Sequence, residues 1–583
     1  MPYDAQAPDP RASRIHVVGA GIAGMIAALR LLQQDYSVTV YEASAEIGGK
    51  FGAVKGKHDI YHEHAYHIFA DWCLNFFGLC REIGLDQDEH FEAFPEFHVL
   101  RPFTEKTDSA TLPRGRRPED LKTLRYFGSP EYFWTNVNSE VADWQDMLLF
   151  GYSVLDLLTD QRLEREEFLN RVSVNGYVRS LPYASDMTGL LHQDMLLKVF
   201  ASPSYETSAR TYQTYLEFTA GTPFPHPPFR ALKGNCQLQF WRRFEKTLEP
   251  YRTAGKFRLE RQRSLTRIEM HRRRVTRLWF EDFLRAPNDV TLGPDDHVIV
   301  AIPADRLYTV ARNSRELLRT APDLLGLGQL QTVRFAALDL YFTEPLTLPS
   351  GHVTLMDDPD KLLVVDSQEA KNGIASQYGL SFIDNGRFWP EEDWQKGDRG
   401  KHFLGVLVGD YGSLTELDTT LDPKKLRDDD NAPGQIIKDL RKYIYFRNED
   451  VDWERSHFRS QKDTPLFVNS VGSWEYRPET RLGKDDRKRD RKFKRLEEST
   501  ENLHLAGDYC RSRIDVVSVE AALVTGITAA RAICGKVPSA LEPRAPDQAQ
   551  IERAKGVLSG WVDIAAARAR ARAKAVRKPD TGR

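Results

Sequence analysis

The chain has 583 residues, 41% hydrophobic and 28% charged, the balance of a soluble globular protein and not of a disordered or fibrous one. Eighty-one Lys and Arg against 84 Asp and Glu give a net charge of −3, so no global field draws in nucleic acid or an anionic membrane. Five cysteines without a CxxC pair exclude a disulfide scaffold and a dithiol motif. No apolar run approaches the roughly 18–20 residues that span a bilayer, and MPYDAQAPDPRASR lacks the apolar stretch of a signal peptide, so a cytoplasmic protein is expected. At roughly 150 residues per domain, the length alone predicts about four domain-sized units.

In chain order, Ile15–Val18 (IHVV) is a mostly β-branched run that predicts a buried strand. It leads into Gly19-Ala20-Gly21-Ile22-Ala23-Gly24, then MIAALRLLQQ with helical apolar spacing, then a second strand, Ser37–Tyr41, ending at Glu42. A GxGxxG run gains meaning from this βαβ context. Gly19 permits the tight turn, Gly21 lets the backbone approach a pyrophosphate, and Gly24 lets helix and strand pack closely. The helix N-terminus around Ala23 faces the phosphates. Glu42, with Ala43 beside it, stands where a carboxylate accepts from ribose hydroxyls, and an acid here argues against NADP. Gly48-Gly49-Lys50 follow just beyond the second strand, where a glycine pair and a cation can wrap a second loop on the diphosphate.

That Gly-Gly-Lys pattern resembles the extension found in the FAD-binding amine oxidase and phytoene desaturase superfamily. The stretch YHEHAYHIF (Tyr61–Phe69), leading to LNFFGLCREIGL, is similar to a segment of plant-type phytoene and ζ-carotene desaturases that passes beside the flavin ring. By this resemblance Ala65 takes the place of the family's glycine, His67 matches the family histidine, and Tyr66 and His67 are candidate catalytic residues. Asn502–Tyr509 (NLHLAGDY) followed by SVEAALVTGITAARAI resembles the superfamily's C-terminal flavin motif. It implies that Gly507 and Asp508 contact the cofactor and that the helix starting near Val519 points backbone N–H groups at the flavin. HVIVAIP (His297–Pro303) resembles the strand that returns to the Rossmann sheet, and Leu265 lies on a strand resembling the one beside the adenine end.

The resemblance implies an α/β fold: a Rossmann-type, glutathione-reductase-like FAD-binding domain interleaved with an α+β substrate domain. The expected FAD domain is discontinuous, 14–98, 230–312 and 495–540, with 99–229 and 313–494 forming the substrate domain. Two interleaved units therefore replace the four that length suggests. A basic helical tail occupies 541–583, with nine basic and three acidic residues after residue 550, net +6. Apolar residues recur at helical spacing from Ile551 to Ala565. Docking on the protein itself is the expected use, and peripheral membrane contact through 551–578 the alternative. The mixed-charge run Arg481–Glu498 is expected to be a solvated face.

The resemblance implies non-covalent FAD and hydride transfer from a substrate C–H to flavin N5, in desaturation of an apolar isoprenoid or lipid, with oxygen or a quinone as electron acceptor. Aromatics around 132–134, 212–218 and 335–342 are candidate tunnel walls. The alternatives are a flavin amine or amino-acid oxidase and a redox-neutral isomerase or hydratase. The oxidase reading expects a lysine on the strand AALDLYF, where Ala337 stands, and an arginine for a substrate carboxylate, Arg334 or Arg477. No metal site and no nucleic-acid partner are expected.

Overall fold

β-Branched residues and small helix formers decide the first turn of the fold: IHVV lies in β1 (Arg14–Val18), Ile22–Leu32 forms α1, and SVTVY forms β2 (Ser37–Tyr41). The computed structural model describes residues 13–103, 114–117, 120–125, 130–159, 163–222, 229–282, 288–357, 376–395, 401–460, 466–479 and 500–576. The run 481–498 lies outside the described residues.

After β2 come the short strands β3 (Tyr61–Glu63) and β4 (Ile68–Ala70) and helix α2 (Leu74–Glu82). A first excursion supplies β5 (Glu96–Leu100), β6 (Lys122–Arg125) and helix α3 (Trp144–Leu158), with further helices. The chain returns with β7 (Phe257–Glu260), a hairpin of β8 (Arg263–His271) and β9 (Arg274–Asp282), and β10 (His297–Val300). A second excursion lays down β11 (Ala336–Phe342), β12 (His352–Leu355), β13 (Leu380–Ile383), β14 (His402–Val408) and β15 (His457–Ser460). The last return gives β16 (Leu503–Leu505), α4 (Val519–Ile533) and α5 (Gln548–Val576).

Two large sheets result. The first has the order β7-β2-β1-β10-β16 with every pair parallel. Parallel sheets are covered on both faces, which is why IHVV and HVIV read as continuous apolar runs. The second has the order β15-β11-β14-β13-β12-β5-β6 and is antiparallel except where β5 meets β12.

Helix α5 docks on α3. Val562, Ala565, Ala566 and Ala569 bury against Leu148 and Leu149, Lys555 pairs with Asp156, and Arg572 with Asp143. Its other side leaves Val557, Trp561 and Ile564 exposed at 71%, 49% and 47%. Among the described residues no helix is long and apolar enough to cross a membrane.

Candidate functional site

Because the strands of the first sheet are parallel, the turns leaving β1, β2, β10 and β16 meet at one edge, the place where such sheets hold ligands. Gly19 (φ +103°) packs so closely on β10 that a Cβ there would overlap the Ala301 carbonyl. A Cβ on Gly24 would overlap the Gly19 carbonyl. Gly21 is the opposite case: a Cβ there meets nothing within 4 Å. It is the N-cap of α1, with no side chain capping the helix, so first-turn N–H groups without helical partners border open space.

Glu42 closes one side of that space. Its Oε2 accepts from the Ala20 N–H at 2.7 Å and its Oε1 from the Ser44 N–H at 2.8 Å, leaving lone pairs for hydroxyl donors. Ala43 is exposed at the same turn. The second glycine loop lies on the first: Gly48 N–H donates to the Ala20 carbonyl at 3.0 Å, and a Cβ on Gly49 would sit 3.3 Å from Gly21 Cα. Strand β8 leaves from here, with the Arg263 N–H donating to the Glu42 carbonyl at 2.8 Å; Leu265 is buried in the core under the hairpin.

The far end of the chain completes this edge. Lys50 Nζ donates to Asp508 Oδ2 at 3.0 Å, joining residues 458 apart in sequence. The Gly507 N–H donates to Thr525 Oγ1 at 3.0 Å, tying the end of β16 to α4, and a Cβ on Gly526 would overlap the Ala23 carbonyl. Val519 opens α4, half-buried against the same core. The buried Arg477 guanidinium donates to the carbonyls of Tyr509 (2.9 Å) and Cys510 (3.0 Å) and pairs with Asp515. It braces the turn and is spent as an anchor for a substrate carboxylate, while Arg334 is exposed.

The 61–69 segment links this edge to the second sheet. Glu63 Oε1 accepts from the Cys236 N–H at 2.6 Å and Oε2 from His67 Nδ1 at 3.1 Å; His67 Nε2 lies 3.2 Å from the Lys50 carbonyl. Both partners of the ring are oxygen acceptors, so the imidazole is held at both nitrogens. Tyr66 points the other way: its hydroxyl is 2.5 Å from Ser381 Oγ and 3.0 Å from His352 Nε2. Burial pushes Tyr66 up and His352 down to about 3, so this triad is uncharged at neutral pH. Glu63, Tyr66, His67, Cys236, Asn385 and Trp389 share a small pocket. Ala65 packs with Ala201, Phe335 and Leu407.

Directly opposed residues on neighbouring strands share a face of a sheet. Arg459, Ala337, Leu407 and Ser381 are opposed in turn across β15, β11, β14 and β13. Leu407 and Ser381 meet the 65–66 segment, so this row faces it.

Four contributors escape a reading of the sequence: Glu63, Arg459, Thr525 and Glu520. Fully buried Glu520 accepts from the Asn75 N–H (2.9 Å), Asn75 Nδ2 (2.6 Å) and the Phe76 N–H (2.9 Å), capping α2 from another helix. Burial pushes its carboxyl up to about 7 against those donors. Its one signal in the sequence is an acid in the first turn of an otherwise small and apolar helix.

An open cradle at Gly21, an uncapped helix start, an acid beside it and a second glycine loop fit a dinucleotide diphosphate. The family model described as flavin containing amine oxidoreductase matches residues 22–534. The ζ-carotene desaturase of Capsicum annuum is 34% identical over 85 residues, 14% of each chain, and that of Synechocystis is 35% identical over 85 residues, 14% of this chain and 17% of that one. These likenesses span a small part of the curated relatives. The cyclohexylamine oxidase of Brevibacterium oxydans superposes with a TM-score of 0.53 at 14% identity, covering 90% of this chain and 99% of that one. An oxidoreductase of Methanosarcina mazei superposes with a TM-score of 0.55 at 12% identity, covering 88% and 99%. At such identities the superpositions speak for the fold. The site fits FAD, and the chain belongs to the flavin-containing amine oxidoreductase family.

Proposed function

We propose that this FAD-dependent oxidoreductase removes hydride from a C–H bond of an apolar isoprenoid or lipid, a desaturation or dehydrogenation. Bound FAD supplies the hydride acceptor; the chain's residues position both partners and exclude water. One observation carries the reading. The wall beside Ala65 is made of Ala201, Phe335 and Leu407, and Ala337 stands on the neighbouring strand where the oxidase reading expects a lysine. Of the two candidate catalytic side chains, His67 has both nitrogens engaged and is proposed to orient the 48–50 loop. Tyr66 is proposed to shape the wall at the sheet. Oxygen or a quinone reoxidises the cofactor in this reading, and the exposed stripe Val557, Trp561 and Ile564 supports peripheral membrane contact.

An amine or amino-acid oxidase is the second reading, favoured by the fold shared with cyclohexylamine oxidase. Anaerobic incubation of the purified yellow protein with a lipid extract and, separately, with amines and amino acids separates the two. Bleaching of the flavin by lipid alone is expected. Bleaching by amines or amino acids overturns the proposal, and turnover without net bleaching points to redox-neutral chemistry.

A further inference from the structure

We infer that the substrate is an amphiphile with an anionic end, a carboxylate or phosphate, and that Arg459 binds that end. The inference rests on the apolar-substrate reading and narrows it.

Arg459 lies on β15 directly opposite Ala337, so its side chain rises from the face that meets the 64–67 segment. It is half-buried, its Nη1 is shielded from solvent, and that nitrogen has no hydrogen-bond partner among the described residues. Among carboxylates, Asp339 supports the Arg459 charge from nearby without a hydrogen bond to it, its Oδ2 lying 2.9 Å from His62 Nδ1. A second orphan stands on the facing segment: His64 is buried, with its Nδ1 unpartnered and its ring 5.6 Å from that of Phe335. Burial, then the charges of His67 and Arg459, hold His64 well below the usual histidine range, so it is neutral.

A buried guanidinium N–H left without an acceptor is unfavourable, and a site that keeps one is suited to taking that acceptor from a ligand. A pure hydrocarbon would leave the Arg459 nitrogen unpaired. A carboxylate or phosphate offers Arg459 a two-oxygen acceptor matched to its fork. The wall of Ala65, Phe335 and Leu407 beside it would take the apolar body of the same molecule.

Three ligands with one apolar body and different heads test this: geranylgeranoic acid, geranylgeranyl phosphate and geranylgeraniol, each titrated into the holoenzyme and followed by the flavin absorbance change. At least one anion should bind about tenfold or more tighter than the alcohol, and the tighter of the two identifies the head group. In Arg459→Met the anions should fall to the alcohol's affinity while the alcohol's own affinity stays unchanged. Arg459→Lys should keep part of the preference, and flavin content and thermal midpoint report the fold of both variants. If the wild type binds alcohol and anions alike, or Arg459→Met keeps the preference, the inference is overturned while the apolar reading stands. If none of the three binds, the apolar reading falls with it.

Discussion

At the edge of the parallel sheet the side chains that carry charge are already matched: Glu42 with two backbone N–H groups, Lys50 with Asp508, Arg477 with two carbonyls and Asp515. On the face of the antiparallel sheet, Arg459 Nη1 and the opposed His64 Nδ1 have no partner among the described residues. The first region is preorganised for a resident cofactor, whose cradle must exist before it binds. The second keeps polar atoms unsatisfied, as a site does when a transient ligand supplies the missing partners.

Breaking the preorganised side should cost most. Gly19→Ala forces a side chain onto φ +103° and into the Ala301 carbonyl. It should lower the unfolding free energy by more than about 3 kcal/mol, measured by chemical denaturation. A smaller effect comes from Glu520, whose folded carboxyl sits at about 7 against a usual 4.5 because of burial. Between those values the native state holds a proton that the unfolded chain has lost. The stability Glu520 contributes is therefore full below pH 4.5 and fades as pH rises through 7. Relative to Glu520→Gln, the wild type should lose on the order of 3 kcal/mol between pH 4.5 and pH 8, read from urea midpoints across that range. A flat difference would show that the three donors, and not burial, rule the site.

Lys50→Met leaves Asp508 without its cation and loosens the clasp between the two ends of the chain. FAD should dissociate roughly tenfold more readily, about 1.4 kcal/mol, by fluorescence of released flavin. On the unsatisfied side the sign reverses. Arg459→Met removes a half-buried guanidinium whose Nη1 has no hydrogen-bond partner among the described residues, and should raise unfolding stability by up to about 1 kcal/mol. A loss of stability there would mean that Arg459 is a structural member of the sheet, and the contrast between the two regions would collapse.

What could be read in the sequence follows the same division. Gly19, Gly21 and Gly24 do their work through the backbone within one βαβ unit, so spacing alone exposed them. The turn at Gly507 and Asp508 was legible because its strand and small-residue helix are contiguous. The resemblance puts the Gly48-Gly49-Lys50 loop and the Gly507-Asp508 turn at one cofactor, but their direct Lys50–Asp508 contact has no signal in the sequence, since nothing local links residues so far apart. Arg477, one of two arginines open to the oxidase reading, looks the same in sequence whether it points at a ligand or, as here, at the carbonyls of residues 509 and 510. Glu63, Glu520 and Arg459 depend on partners brought in by separate excursions of the chain, and their spacing records none of it.

If the two ends of the chain form one FAD cradle whose open side lies at Gly21, the ratio of FAD to protein in purified Gly21→Val reports it. A Cβ there has no neighbour within 4 Å, and the branched side chain is expected to take the diphosphate's place. The expected result is a folded protein with an unchanged circular-dichroism spectrum and no flavin absorbance. A folded variant that keeps stoichiometric FAD would contradict it.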